Sequence, residues 1–352
     1  LKVIAIYLPQ FHPFKENDGW WGPGFTEWTN VTRAKSLFKG HQQPKHPTDF
    51  GYYDLRLKEN LIQHGKVAEG FGLNGFCFYH YWFNGKRIMN KPIDSLLTDE
   101  KYTFPYMLCW ANETWSRRWL GEEKEVLIRQ EYSYEDDLLH IEWLMKSPFS
   151  DPRYIRIDGR PVLVVYRPGD LPENGRFVGL IKSEASKYGI PEPYVVGTNI
   201  NNHHIGLYDN ILNFEPQLSA LPGAFNDGFS LKRLFRNIKS GIFSGVIKVY
   251  DYSFVKKLMA DRKFNYKYWP CIFVGWDNTP RRGKRGIVFL NQNVSSFKES
   301  LVVAKDIAQQ QKTSEQFVFI NAWNEWAEGN FLEPSEEFEV EYLDAIKEVF
   351  DA

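Results

Sequence analysis

Eight short apolar runs alternate with helical segments along this chain, and that alternation constrains the fold more than any other feature. The runs cover residues 3–9, 75–79, 106–109, 161–166, 194–197, 210–214, 272–275 and 317–320. Each is too short for a helix and rich in β-branched or aromatic residues. Helical spacing is predicted over residues 54–69, 93–97, 134–146, 176–188, 231–238, 253–260, 295–311 and 339–350. Strands that alternate with helices are parallel and joined by right-handed crossovers. A closed (β/α)8 TIM barrel is the simplest answer to a count of eight, with a doubly wound open sheet second. The 352 residues suit one such barrel, so residues 1–352 are expected to form a single α/β domain with long βα loops and a C-terminal helix. Residues 10–52 read as one long loop, and residues 216–270 as largely irregular.

Polar and aromatic residues fall just past the ends of these runs. His80, Trp110, Asn112, Glu113, Asn199, Glu215, Trp276, Asp277, Asn324 and Glu325 all occupy such exits. A barrel gathers those exits on one face, where active sites are built. The last exit, residues 321–334, is the densest, with Trp323, Asn324, Glu325, Trp326 and Glu328 before Gly329, and Glu333 beyond. Indole faces and amide or carboxylate hydrogen bonds suit a sugar ring. Glu325 and Glu328 are three apart, so a turn-like exit can aim both at one pocket. Glycosidic chemistry needs such a pair, one acid and one nucleophile or base. An indole wall would raise one proton affinity. The plainer alternative is that both acids decorate a surface loop. Glu113 is a rival acid, able to face Glu325 across the mouth, or else a hydroxyl ligand or a partner for Arg117 or Arg118. The basic run 281–286 is placed to hold a phosphate or an acidic sugar. A solvated loop is the plainer meaning of such a run. Trp20, Trp21, Trp28 and Trp82 are stacking platforms or packing plugs.

Composition narrows the function classes. The aromatic fraction of 16%, with 12 Trp, exceeds what a core requires. The formal net charge of −1 gives no electrostatic argument for nucleic acid or a membrane. Cys77, Cys109 and Cys271 each lie inside an apolar run, which points to buried reduced thiols. No Cys/His spacing suggests zinc, so neither metal nor cofactor is expected; His203-His204 reads as a loop feature. No apolar run reaches membrane-spanning length, so no membrane insertion is expected. With the first strand starting at Lys2, a cytoplasmic location is the default expectation; the opening Leu1 is compatible with a removed upstream segment.

Longer motifs carry a family resemblance. They are residues 5–13, Trp20-Trp21-Gly22, residues 24–28, residues 78–83, residues 109–113, residues 275–282 and Trp323-Asn324-Glu325-Trp326. With these the chain resembles the WbsX-like family, found in loci for O-antigen and other surface polysaccharides and often labelled glycosyltransferases. That family is similar to glycoside hydrolase family 99, (β/α)8 endo-α-1,2-mannosidases with an Asn-Glu-Trp-His-Glu-Gly motif and a later Glu-Pro. Here the motif stands as residues 324–329, with Ala327 at the His position, then Glu333-Pro334. The resemblance implies that Glu325 takes the proton of a sugar 2-hydroxyl, whose oxygen attacks the anomeric carbon to give a 1,2-anhydro sugar. Glu328 would then be the general acid and later the base for water. The expected substrate is an oligosaccharide or polysaccharide with α-linked manno-configured or related sugars. The expected substrate-binding set is Tyr7, Trp28, His80, Trp110, Asn112, Glu113, Trp276, Asp277, Asn324, Trp326 and Glu333. Two alternatives stay open: a glycosyltransferase using an activated sugar, and a glycan-binding barrel without catalysis. Against the former, no Asp-x-Asp stands at a strand exit and no Gly-rich turn joins a strand to a helix; Asp136-Asp137 lies at a helix start instead.

Overall fold

The computed structural model of the protein describes residues 1–116, 126–172, 175–200 and 206–351. Arg117 and Arg118, expected as partners of Glu113, and the His203-His204 pair lie outside them. Eight strands build the core: β1 Lys2–Tyr7, β2 Gly75–Phe83, β3 Tyr106–Trp110, β4 Arg160–Val165, β5 Tyr194–Thr198, β6 Asn210–Asn213, β7 Trp269–Phe273 and β8 Phe317–Asn321. Each pairs in parallel with the next in chain order. β8 returns to β1 with Lys2 opposite Phe317 and Ala5 opposite Ile320. That last pairing closes the sheet into a (β/α)8 barrel and excludes the open alternative. Strands covered on both faces read as continuous apolar runs, and every residue of β2, β3 and β8 is buried.

The helices are α1 Lys15–Trp21, α2 Glu27–Arg33, α3 Lys58–Gly70, α4 Lys91–Thr98, α5 Tyr134–Lys146, α6 Arg176–Glu184, α7 Leu231–Ile238, α8 Tyr252–Ala260, α9 Thr279–Arg282, α10 Val294–Gln309 and α11 Glu341–Phe350. Side-chain caps start several of them: Ser133 accepts from the Asp136 amide, Asp251 from Ser253 and Asn293 from Ser296. Two expectations need correction. Residues 10–52 are not one loop, because Thr26 and Thr29 form a capping box that opens α2. Residues 216–270 are more ordered than their pattern suggests. A strand at Lys248–Asp251 pairs in parallel with Ile287–Leu290, and Tyr250, Trp276 and Phe289 share a second apolar cluster there.

The pleat decides which residues face the barrel axis. Cys77, Cys109 and Cys271 are buried, free and near one another. Burial and these neighbours push the Cys77 thiol well up, as expected for inert core cysteines. Side chains alternate along a strand, so Tyr79 and Tyr81 follow Cys77 inward while Phe78, His80 and Trp82 point out to the helices. Accordingly His80 stacks on Trp143 of α5 and Trp82 donates to Asp136. Among the described residues, no helix is long and apolar enough to cross a membrane.

Candidate active site

The segment after β8 is a tight hairpin held from both sides. Asn324–Glu325 pairs antiparallel with Asn330–Phe331, and a 3-10 turn, Trp326–Glu328, joins them. Gly329 sits at φ +58, and a Cβ there would lie 2.9 Å from the Asp277 backbone nitrogen, so only glycine fits without strain. The Asn324 amide accepts from Leu8 N at 2.7 Å and donates to Leu8 O at 3.0 Å, tying the hairpin to the exit of β1. Asn330 accepts from Val274 N and Gly275 N, tying it to the exit of β7. The turn that carries Glu325 and Glu328 is thereby fixed on both neighbouring strands.

Arg281 joins the two acids. Asp277 opens α9 by accepting from Thr279 N and Thr279 Oγ1 at 3.0 and 2.6 Å. Its other oxygen accepts from Gln43 at 2.7 Å and lies 2.7 Å from His41 Nε2. The helix turn aims Arg281 at three carboxylates. Nε donates to Glu27 at 2.6 Å, Nη1 to Glu328 at 2.6 Å and Nη2 to Glu325 at 3.0 Å. The Glu325 and Glu328 side chains keep 9% and 18% of their surface exposed, so both reach the mouth, whereas Glu27 is sealed at 1%. Burial pushes Glu325 up to about 8 and raises Glu328; Arg281 opposes both shifts, while the charge of Glu328 adds to the shift of Glu325 and those of Glu27 and Glu113 add to the shift of Glu328. The same carboxylates hold Arg281 firmly charged. One buried cation facing three acids favours keeping a proton on the Glu325–Glu328 pair near neutral pH.

Tyrosines face this pair. Tyr79 lies 6.3 Å from Tyr81 and 5.9 Å from Tyr166, ring centre to ring centre. Burial raises all three phenols, and the charge of Glu325 adds to the effect on Tyr79 and Tyr81, that of Glu328 to the effect on Tyr166. Glu113 stands on the same rim, 3.1 Å from Arg167, and its charge also reaches Glu328. A cleft of about 180 Å³ continues from Tyr166 past Arg167, Asp170, Thr198 and Asn199. Among the described residues, no group of three or more His, Cys, Asp or Glu side chains is arranged to hold a metal ion.

The expected site residues divide into two groups. Glu325, Glu328 and Glu113 come together at the mouth. Of the rest, Asp277 and Asn324 adjoin it as supports for α9 and the hairpin. The remainder lie behind it. Trp110 is buried against Phe177 and His140, and His80 lies 2.9 Å from His140, both outside the barrel wall. Asn112 accepts from Arg167 N and donates to Arg167 O, bridging the exits of β3 and β4 much as Asn324 bridges those of β1 and β8. Tyr7 is buried with its hydroxyl 2.8 Å from His64. Glu333 receives hydrogen bonds from Tyr53 and Trp326, and burial pushes it up to about 8. Trp28 packs on Trp326, which stacks on Phe331 at 3.8 Å, and Trp276 belongs to the second apolar cluster. These side chains shape the mouth from behind rather than line it.

Four residues escape a reading based on strand exits: Tyr79, Tyr81, Glu27 and Arg281. Period-two alternation from Cys77 identifies the two tyrosines. The basic run was expected to be a solvated loop or a phosphate site, and the structure divides it. Lys284 and Arg285 are exposed, but Arg281 is buried among carboxylates and Arg282 bonds Asp227 at 2.9 Å. A guanidinium already held by three acids has no vacancy for an anion.

Comparison with known proteins agrees with this architecture. A family model described as glycosyltransferase WbsX matches residues 3–346. Two proteins from strains of Xanthomonas campestris pv. campestris, each described as "Uncharacterized protein WxcX", are 38% identical over 351 residues. The match covers 98% of this chain and 49% of theirs, so the chain spans about half the length of the curated relatives it matches. The GH99 endo-alpha-mannosidase from Bacteroides thetaiotaomicron superposes with a TM-score of 0.59 at 14% identity, covering 99% of this chain and 96% of that one. A structure described as "Glycoside hydrolase-like protein" gives 0.58 at 14%, covering 99% and 93%. At that identity the likeness establishes the fold, a barrel shared with glycoside hydrolases. The match over nearly the whole length settles the family: the chain belongs to the WbsX glycosyltransferase family.

Proposed function

We propose that this barrel breaks or transfers a glycosidic bond in a polysaccharide, with retention at the anomeric carbon. The observation that carries the reading is the placement of Glu325 and Glu328 on adjacent nitrogens of one guanidinium, at the open end of the barrel. That bonding keeps the two carboxyl groups close. Carboxyl groups held this close leave no room between them for the attacking water of an inverting site, which takes roughly 6.5–9.5 Å.

In the proposed sequence, ionised Glu325 takes the proton of the sugar 2-hydroxyl. The 2-oxygen attacks the anomeric carbon as the bond to the leaving oxygen breaks, and Glu328 gives its proton to that oxygen. Glu328, now a carboxylate, removes a proton from water or from an acceptor hydroxyl, which opens the 1,2-anhydro ring and returns the 2-oxygen its proton from Glu325. Burial pushes Glu325 up to about 8, so as a carboxylate it is a strong acceptor, and its ionised fraction is small at neutral pH and grows as the pH rises. Tyr79, Tyr81 and Tyr166 offer phenol faces and hydroxyls to the ring, and Glu113 a further acceptor. An α-linked manno-configured sugar or a close relative is the substrate class we favour.

The test is incubation with purified bacterial surface polysaccharides, with the first-formed product anomer followed by NMR. Retained configuration is expected, and an inverted product would refute the scheme. The family description favours a second reading, transfer from an activated sugar. Thermal stabilisation by a nucleotide sugar but not by oligosaccharide would select it. Glycan binding without any product would select a silent barrel.

A further inference from the structure

The segment between β6 and β7 holds a helix that is turned inside out. On α7 the polar side chains Arg233 and Asn237, four apart, are buried, while Leu231, Phe235 and Ile238 form an exposed apolar stripe. Arg233 donates to the carbonyls of Gly223, Asn226, Gly228, Gly245 and Val246. Asn237 donates to those of Ser244 and Ile247. These bonds wrap the flanking loops around the polar face and bring their phenylalanines to the same region. Phe225, Phe229 and Phe243, in the loops that flank α7, are exposed like Phe235, which keeps 67% of its surface in water; Phe243 keeps 83%. Exposed apolar residues elsewhere lie singly or in pairs, which is ordinary; six within 19 residues are not.

Charge says what covers this patch. Residues 228–250 contain no Asp or Glu but carry Lys232, Arg233, Arg236, Lys239 and Lys248. Lys232, Arg236 and Lys239 are exposed, each next in sequence to a residue of the apolar stripe. Among the described residues, Lys232 and Lys239 have no ion-pair partner, and Arg236 lies over the ring of Tyr250. In a two-fold pairing the patch would meet itself and set cation against cation. A bilayer with anionic headgroups instead takes the phenylalanines at the acyl boundary and the cations at the phosphates. We infer that residues 225–243 dock the protein peripherally on an anionic membrane surface. The patch is anchored beside the site, because Asp227 bonds both Lys248 and Arg282, the neighbour of Arg281. Docking would therefore hold the barrel mouth close to the lipid, where a membrane-attached glycan is presented.

Co-sedimentation of the chain with vesicles tests this. Phosphatidylcholine vesicles with about 30% phosphatidylglycerol should bind it, and pure phosphatidylcholine vesicles should bind it at least about tenfold more weakly. The double variant Phe235→Ser/Phe243→Ser should lose about tenfold or more in binding with an unchanged Tm, since both side chains are already in water. Lys232→Gln/Lys239→Gln should lose roughly fivefold per charge at low salt, and less as salt rises. Equal sedimentation with and without anionic lipid would overturn the inference. So would vesicle-free self-association that the phenylalanine variants abolish, which would assign the patch to a second copy. Neither readout depends on the glycosidic chemistry.

Discussion

Two sides of the barrel carry similar residue types and do different things with them. The exits of β2 and β3 offer His80, Trp82, Trp110 and Asn112; those of β7 and β8 offer Trp276, Asp277, Asn324, Glu325 and Trp326. On the first side His80, Trp82 and Trp110 point outward and are enclosed by α5 and α6, so His80 and its neighbour His140 are buried and neutral. Burial drives His80 down to about 3. On the second side a one-turn helix and a hairpin fold back over the barrel end, and a single arginine holds two acids at the surface. The difference teaches that pleat parity and local backbone reversal select a site, while residue type alone does not. Helices cover whatever points outward. Only a segment that doubles back can aim several charges at the axis.

The sharpest break between the two sides comes from paired substitutions. Glu328→Gln removes the proposed proton donor and is expected to cut turnover by roughly a thousandfold or more, with Tm and glycan binding intact. Trp110→Ala is expected to do the reverse. It opens a cavity against Phe177 and His140 that costs about 3–5 kcal/mol of stability, read by denaturant unfolding, while the folded fraction keeps its KM. If Trp110→Ala instead spared stability and abolished binding, the assignment of sides would be reversed.

Smaller effects sharpen the contrast. Arg281→Met leaves the acids without their cation, so both proton affinities rise further. A base must be ionised to act, so kcat/KM should climb with pH through about 8 in the parent, and the climb should move to higher pH in the variant, with turnover down roughly a hundredfold. The smallest expected change is Tyr81→Phe, a few-fold rise in KM with little change in stability, because the buried ring is kept and only the hydroxyl is lost.

The barrel was legible because all eight of its strands are buried on both faces, which leaves uninterrupted apolar runs. Glu325 and Glu328 drew attention because Trp, Asn and Glu crowd the last exit, although Trp326 and Asn324 turn out to pack and to bond backbone there. Much of the rest was not. The exit of β2 was misplaced because pairing with Lys86–Ile88 carries the strand on to Phe83, so His80 lies within it rather than past its end. Asn112 and Asn324 look like sugar ligands, yet their amides serve backbone groups where the strand ladder stops. Arg281 sits in a run of cations whose composition suggests solvent. Its burial depends on Glu27, 254 residues earlier, which no local pattern reveals.

The most direct test of the shared proton needs no substrate. Carbon-13 NMR of the glutamate carboxyl carbons, assigned with Glu325→Gln and Glu328→Gln variants, reports each ionisation. Glu325 should titrate near 8 in the parent, move down when Glu328 is neutralised and move up when Arg281 is replaced by Met. A Glu325 carboxyl that titrates at its ordinary value of about 4.5 in all three proteins would contradict the arrangement on which the proposed chemistry depends.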